Sequence, residues 1–222
     1  MGQAASGVAA WPIYSCIVSE QVANVAVVEP SPPADAAEDM ATEAKTTPGF
    51  WSLVKEDHLT NGKDWTRPGF RAMFMYRFGV WRMGLPGVFR MPMSVIYRWM
   101  HRRVRNRYGI ELHYTAKIGR RFRIAHQGAI VIHEHATIGD DCTIRQGVTI
   151  GSTGEYSMQG PTLGDNVDVG AGAMILGKVK IGDNVRIGAN SVIMMNVPAN
   201  SMAVAPPARI ITPPAPPSTV KA

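Results

Sequence analysis

Residues 163–193 read LGDNVDVGAGAMILGKVKIGDNVRIGANSVI, with an aliphatic side chain on every sixth position: Leu163, Val169, Ile175, Ile181, Ile187 and Ile193. A helix repeats every 3.6 residues and a half-buried strand every two, so neither produces this beat. A six-residue period belongs to a parallel β-helix, in which each hexapeptide supplies one short strand and one corner. Working outward, the same beat runs through Ile132, Ile138, Ile144 and Ile150, and earlier through Ile118 and Ile124. Twelve beats, three to a triangular coil, predict a mainly β fold: a left-handed parallel β-helix of about four coils. Prisms of this period coil left-handed as a rule, an exception to the right-handed crossover preference, although the period does not itself set the hand.

Two positions before nine of the twelve beats sits a residue no larger than the beat itself: Ala116, Ala136, Cys142, Val148, Val167, Ala173, Val179, Val185 and Ser191. Alternating large and small inward residues fill a narrow prism. After the beats come corner residues that tolerate positive φ, such as Gly139-Asp140-Asp141, Gly164-Asp165-Asn166 and Gly182-Asp183-Asn184. A single coil buries too little to offset its ordering entropy, so stability comes from stacking.

The beat breaks twice. Ile124 to Ile132 spans eight residues around Ala125-His126-Gln127-Gly128, and Ile150 to Leu163 spans thirteen, including the polar stretch 152–160. Insertions in a solenoid bulge outward and often build the binding face. Counting three beats per coil puts the bulges on different corners, where they meet if neighbouring prisms pack side by side. A homotrimer with sites between subunits is therefore expected.

The chain divides by composition into an N-terminal tail (1–47), a helical segment (48–110), the repeat domain (111–211) and a Pro-rich C-terminal tail (212–222). Residues 1–44 hold six acids and no Lys or Arg; the remainder holds all 23 basic residues and only 11 of the 17 acids. The tail's composition predicts disorder. The basic surplus suits an anionic ligand such as a nucleotide cofactor, or an acidic membrane surface. In the helical segment Phe70, Met73, Phe74, Phe78 and Trp81 share a face; Gly84-Leu85-Pro86-Gly87 breaks the helix. A second helix begins near Pro92, with Val95, Ile96, Trp99 and Met100 as its packing face. Arg98, Arg102 and Arg105 fall on one side of that helix, consistent with peripheral contact with anionic lipid or with an ordinary solvated or subunit face. No nucleic-acid motif accompanies the charge. Two cysteines make no disulfide framework: Cys142 falls on an inward position and Cys16 in the tail, which suits a reducing, cytoplasmic compartment. No stretch is long and apolar enough to span a bilayer.

With the repeats, the bulges and the helical preface in place, residues 60–211 resemble the serine acetyltransferase family of hexapeptide acyltransferases. The matching motifs are Tyr76-Arg77-Phe78-Gly79; Glu111-Leu112-His113-Tyr114-Thr115-Ala116-Lys117-Ile118-Gly119; the His of the first bulge; Gly147 to Gly154; Gly170 to Gly177; and the closing Pro207 to Ile210. The resemblance implies acetyl-CoA as donor, a hydroxyl as acceptor, no metal, His126 as general base and Glu111 as the acid that orients it. A neutral His takes the hydroxyl proton as attack proceeds, and a carboxylate on its other nitrogen fixes the tautomer. The resemblance also assigns Gly151, Ser152, Thr153, Ala171, Gly172, Ala189 and Asn190 to the pantetheine path. By charge, Arg186, Lys178 and Lys180 are candidates for its phosphates or else ordinary solvated corner residues. Asp64 and Gln127 are assigned to the acceptor. His133 and His135 read as surface or interface residues and His113 as structural.

Departures from the pattern bear on the acceptor. The family's Asp before the catalytic His is Ala125 here, its acid is Asp rather than Glu111, and its Asp-Arg-His-Pro reads Met158-Gln159-Gly160-Pro161. The donor side is kept while the amino-acid clamp is largely gone. L-Serine, feeding cysteine synthesis, is the family default. A sugar hydroxyl in polysaccharide assembly is the alternative, and a non-catalytic trimeric scaffold is a third reading.

Overall fold

The computed structural model describes residues 48–154 and 159–207. The expected N-terminal tail, the C-terminal tail, Cys16 and the closing Ala208-Arg209-Ile210 lie outside them. Three helices, α1 (Phe50–Thr60), α2 (Pro68–Trp81) and α3 (Gly87–Tyr108), precede fourteen short strands. The first sheet contains β1 (Ile110–Leu112), β4 (Ile130–Ile132), β7 (Thr149–Gly151), β10 (Met174–Leu176) and β13 (Val192–Ile193). The second contains β2 (Lys117–Ile118), β5 (Thr137–Ile138), β8 (Thr162–Leu163) and β11 (Lys180–Ile181). The third contains β3 (Arg123–Ile124), β6 (Thr143–Ile144), β9 (Asp168–Val169), β12 (Arg186–Ile187) and β14 (Met202–Ala203). Every pairing is parallel and joins strands three apart in sequence, except β12–β14, where a lone Ile181–Val197 bridge stands in for the missing strand. The result is a left-handed triangular solenoid of nearly five coils rather than four. The extra turn comes from Ile110–Leu112 and the last strands, which the twelve beats did not include.

All twelve beat residues are buried, and the smaller inward partners are buried with them. Register explains why: Ile132 pairs with Ile150, Ile150 with Ile175 and Ile175 with Ile193, so like side chains stack along the axis. One corner column is held by its own side chains. Asn184 donates to Asn200 at 3.0 Å and Asn166 to Asn184 at 2.9 Å. Beside them the Asp140, Asp165 and Asp183 carboxylates accept from the backbone N–H of Arg120, Asp140 and Asp165. Asp141, Asn166, Asn184 and Asn200 all take left-handed φ near 57°, the conformation that Asn and Asp tolerate best after Gly.

A first coil has edge strands with unpaired backbone groups. Here the helices supply the partners. Tyr76 donates its hydroxyl to Ala116 O at 2.7 Å and accepts from Ile118 N at 3.0 Å. Arg77 donates to the carbonyls of Ile118 and Gly119, and Asn61 donates to Phe122 O while accepting from Ile124 N.

Two details of the helical segment differ from the sequence reading. First, α3 starts directly after Pro86 and runs through Pro92, which lies at its exposed sixth position and forgoes the bond that an N–H there would give to the Val88 carbonyl. Second, the face of α3 that packs is Tyr97 and Val104, with Met100 and Tyr108 against them, while Val95, Ile96 and Trp99 are exposed. Arg82 decides the rotation. Its guanidinium lies 4.3 Å from the Tyr97 ring and 4.5 Å from the Tyr114 ring, and burial pushes the Tyr97 hydroxyl up to about 12. Likewise α2 is buried on nearly all sides: Met75, Tyr76 and Arg77 join Phe70 and Met73, and Trp81 stays exposed. Gly109 ends α3 in the left-handed region, its N–H bonding to Arg105 O.

Candidate functional site

Both outward loops flank the first sheet. The 125–129 loop links β3 to β4 at one edge, and the 152–161 connection links β7 to β8 at the other. They therefore lie at different corners, as the beat count requires. The first loop is pinned from both sides: Gly128 O accepts from Gly147 N, and Ile130 N donates to Gly109 O, both at 2.9 Å. Gly128 and Ala129 both take positive φ, which turns the chain sharply enough to leave His126 and Gln127 exposed.

Between the loops the outward row of the first sheet runs Glu111, Val131, Thr149, Met174, Val192 in paired register. Glu111 thus stands on the strand that β4 pairs with, and β4 is the strand the His126 loop enters. Among the described residues no hydrogen bond or ion pair joins Glu111 to His126. The Glu111 carboxylate acts instead on His101 of α3, where it partly offsets the downward shift that burial imposes on that imidazole. His113, one residue beyond β1, is also held below its ordinary value by burial. Its Nδ1 lies 2.8 Å from Thr115 Oγ1. His101 and His113, with Tyr97, Arg98, Arg102 and Arg105, wall a basic cleft of about 590 Å³ between α3 and the first coil. His101 and this cleft were not singled out from sequence, because His101 and His113 meet only through tertiary packing.

The residues assigned to the pantetheine path form two groups. Ala171, Gly172, Ala189 and Asn190 gather at the edge that also carries the His126 loop, where Asn190 N donates to Ala171 O at 2.9 Å. Gly151, Ser152 and Thr153 gather at the opposite edge with Gly177, whose N–H donates to Gly151 O. A Cβ on Gly177 would lie 3.3 Å from the Thr153 side chain, and its φ of +87° favours glycine. This bare backbone strip is what an extended chain with amide groups could lie along. Gly172, at the other edge, also takes positive φ. Arg186 lies on β12, in the third sheet, exposed and three residues before Ala189, and Lys178 and Lys180 are exposed. Asp64 lies between α1 and α2, where its Oδ1 accepts from Thr66 N and Thr66 Oγ1, both at 2.7 Å; it therefore shapes that turn. His133 and His135 stand on the edge that carries the longer loop, their rings 5.5 Å apart.

A short helical cap on a hexapeptide solenoid, with a histidine loop at one edge of a sheet and a polar loop at the other, is the build of the hexapeptide transferases. Residues 160–194 match the family model described as bacterial transferase hexapeptide (six repeats). The chain is similar to serine acetyltransferases in both sequence and fold. It is 42% identical over 145 residues to a serine acetyltransferase of Synechococcus elongatus, covering 65% of this chain and 57% of that one. It is 52% identical over 104 residues to a serine acetyltransferase of Staphylococcus aureus, covering 46% and 49%. The chain thus spans about half the length of the curated relatives it matches. Among solved structures, serine acetyltransferase isoform 3 of Entamoeba histolytica in complex with cysteine superposes with a TM-score of 0.60 at 29% identity, covering 74% of this chain and 62% of that one. The Brucella abortus enzyme in complex with coenzyme A gives 0.59 at 28%, covering 72% and 67%.

Proposed function

We propose that this chain is an acetyl-CoA-dependent O-acetyltransferase with His126 as general base. The observation that carries the reading is the looped-out histidine at the edge of the first sheet, beside the bare-backbone strip of Ala171, Gly172, Ala189 and Asn190. The relative crystallised with coenzyme A supports the choice of donor. In the step, the His126 imidazole takes the proton from the acceptor hydroxyl as its oxygen bonds to the acetyl carbonyl carbon. Backbone N–H groups of the Gly-rich corners hold the carbonyl oxygen as it becomes negative. The C–S bond then breaks, and the imidazolium returns its proton to the departing sulfur, leaving the acetyl ester and the free thiol. Glu111 is a positioning residue; it reaches His126 when a bound acceptor or a neighbouring subunit draws the loop inward.

In this reading the assembly is a homotrimer, with one prism's His126 edge facing the next prism's Thr153 edge, and the protein works on the cytoplasmic side, with α3 at the membrane face. The acceptor that the family implies is L-serine. The basic cleft favours a second acceptor class: Arg98, Arg102 and Arg105 suit a sugar carried on a diphosphate, and Ala125 and Met158 replace residues that hold an amino acid. Thiol release from acetyl-CoA, measured with L-serine and with nucleotide-linked sugars beside His126→Ala, separates the readings. Serine-dependent release lost in the variant supports the first, and sugar-dependent release lost in the variant supports the second. Release that the variant leaves unchanged removes His126 from the chemistry and leaves a scaffold.

A further inference from the structure

The helix that caps the solenoid has two opposite faces, and only one is used. Tyr97 and Val104 pack inward. On the other side Val88, Phe89, Met91, Val95, Ile96 and Trp99 are exposed, with fractional exposures from 44% to 81%. At 3.6 residues per turn Val88, Pro92, Val95 and Trp99 stack on one line, with Met91 on one side and Phe89 and Ile96 on the other. Further along α3 the same face becomes basic. Arg98 and Arg102 lie on one flank of that line, and Arg103 and Arg107 on the other. The helix carries six arginines and no acid, and among the described residues none of the six has a carboxylate within 4.0 Å. Scattered apolar side chains need no explanation, but a contiguous apolar face does.

The same face opens onto a cavity. Trp65, Phe70, Phe74, Met100 and Val104 line an apolar pocket of about 300 Å³ between α2 and α3, with Trp99 at its wall and the guanidiniums of Arg71 and Arg103 beside it. Arg103 lies 5.7 Å from the Trp99 ring. An apolar recess with guanidiniums alongside matches a molecule with a hydrocarbon chain and an anionic head. No described helix is long and apolar enough to cross a membrane. A helix with an apolar face, basic flanks and an interfacial tryptophan instead lies in the plane of the headgroups.

We propose that α3 docks the protein on an anionic lipid bilayer, with Val88, Val95 and Trp99 at acyl depth, Arg98, Arg102, Arg103 and Arg107 on the headgroup phosphates, and the Trp65–Trp99 pocket receiving one acyl chain. Charge separates this occupant from a second copy of the chain. A second copy of this helix would bring six more arginines and no acid to neutralise them, whereas an anionic leaflet neutralises both flanks. The docking does not rest on the acetyl-transfer reading, because it uses a different face from the His126 loop.

The test is co-sedimentation of the full chain with vesicles of phosphatidylcholine alone and of phosphatidylcholine with phosphatidylglycerol, at low and high salt. Binding is expected only to the phosphatidylglycerol vesicles and is expected to weaken with salt. Arg103→Glu/Arg107→Glu should weaken it roughly twenty-five-fold or more, taking each arginine as worth about fivefold. Trp99→Ser should weaken it with no loss of helical circular dichroism, since the side chain is exposed. His126→Ala should bind as the wild type does, which keeps this test separate from catalysis. Equal binding to both vesicle types, or to neither, overturns the proposal. So does a Trp99→Ser chain that drops from trimer to monomer, since the face would then belong to a second copy.

Discussion

Arg77 of α2 reaches Asp57 of α1 at 2.8 Å while the same guanidinium donates to the Ile118 and Gly119 carbonyls of the first coil. Both side chains are buried. Burial raises the Asp57 carboxyl above its ordinary value, and the Arg77 hydrogen bond pulls it back. One residue thus ties the two helices to the solenoid. Removing one partner of such a pair leaves a buried charge uncompensated, so Arg77→Met should cost about 3–5 kcal/mol. Asp57→Asn, which keeps an acceptor for the guanidinium, should cost less. Urea unfolding monitored by circular dichroism measures both.

The corner ladder should be sensitive at its centre. Asn184→Ala removes the side-chain bonds to Asn166 and Asn200 and puts an alanine at φ of 56°. Two net hydrogen bonds at about 1 kcal/mol each, plus about 1 kcal/mol for the left-handed backbone, predict a loss of about 3 kcal/mol. Asn184→Gly relieves the backbone part and should recover about 1 kcal/mol of it. Equal unfolding midpoints for the two variants would show that the backbone part is absent.

Stability should fall with acid in a defined window. His101 and His113 are both held below their ordinary value of 6.5, first by burial. The unfolded chain therefore binds protons that the folded chain refuses between the depressed values and 6.5. The stability these two groups contribute is present above pH 6.5 and is lost as pH falls through that window. Thermal midpoints measured across it should decline, and His101→Gln/His113→Gln should flatten the decline.

Cys142 should be inert in the folded state. It is fully buried, and burial pushes its thiol up to about 11. Since the thiolate is the reactive form, a Cys16→Ser chain should resist a disulfide reagent when native and react when unfolded in guanidinium chloride. Fast native labelling would mean that the second coil opens.

His126→Ala should lower kcat by roughly 10²–10⁴-fold, while Glu111→Gln should lower it less and leave KM for acetyl-CoA unchanged. If Glu111 positions the imidazole, Glu111→Asp, the shorter acid found in the resembling family, should retain most of the turnover. Steady-state kinetics with the identified acceptor distinguishes these cases.

The solenoid was legible because each inward position repeats: Ile132, Ile150, Ile175 and Ile193 occupy equivalent places one coil apart, so the period records the geometry directly. The loops were legible as interruptions of the same period. The helical cap was not, since nothing local says that Tyr97 rather than Trp99 turns inward. That choice is made by Arg82, twelve or more residues away, stacking between Tyr97 and Tyr114. Asn61 and Arg77 carry no periodic signal either, because they serve backbone groups forty or more residues downstream. At the site, the His126 loop was readable as an insertion, whereas the pantetheine-path residues came only from the family resemblance. The basic cleft and the partnership of Glu111 with His101 arise where α3 crosses the first coil, and crossings leave no mark in a linear pattern.

The cap also makes the chain's architecture directional. Tyr76, Arg77 and Asn61 key the opening turn to one register, whereas among the described residues the far end closes through the short β14 and the Ile181–Val197 bridge. Lineages descending from such a molecule can lengthen or shorten it by whole turns of three hexapeptides inserted past the last loop. A partial turn would move every later edge to another side of the triangle and separate the two loops' shared sheet from the backbone strip between them.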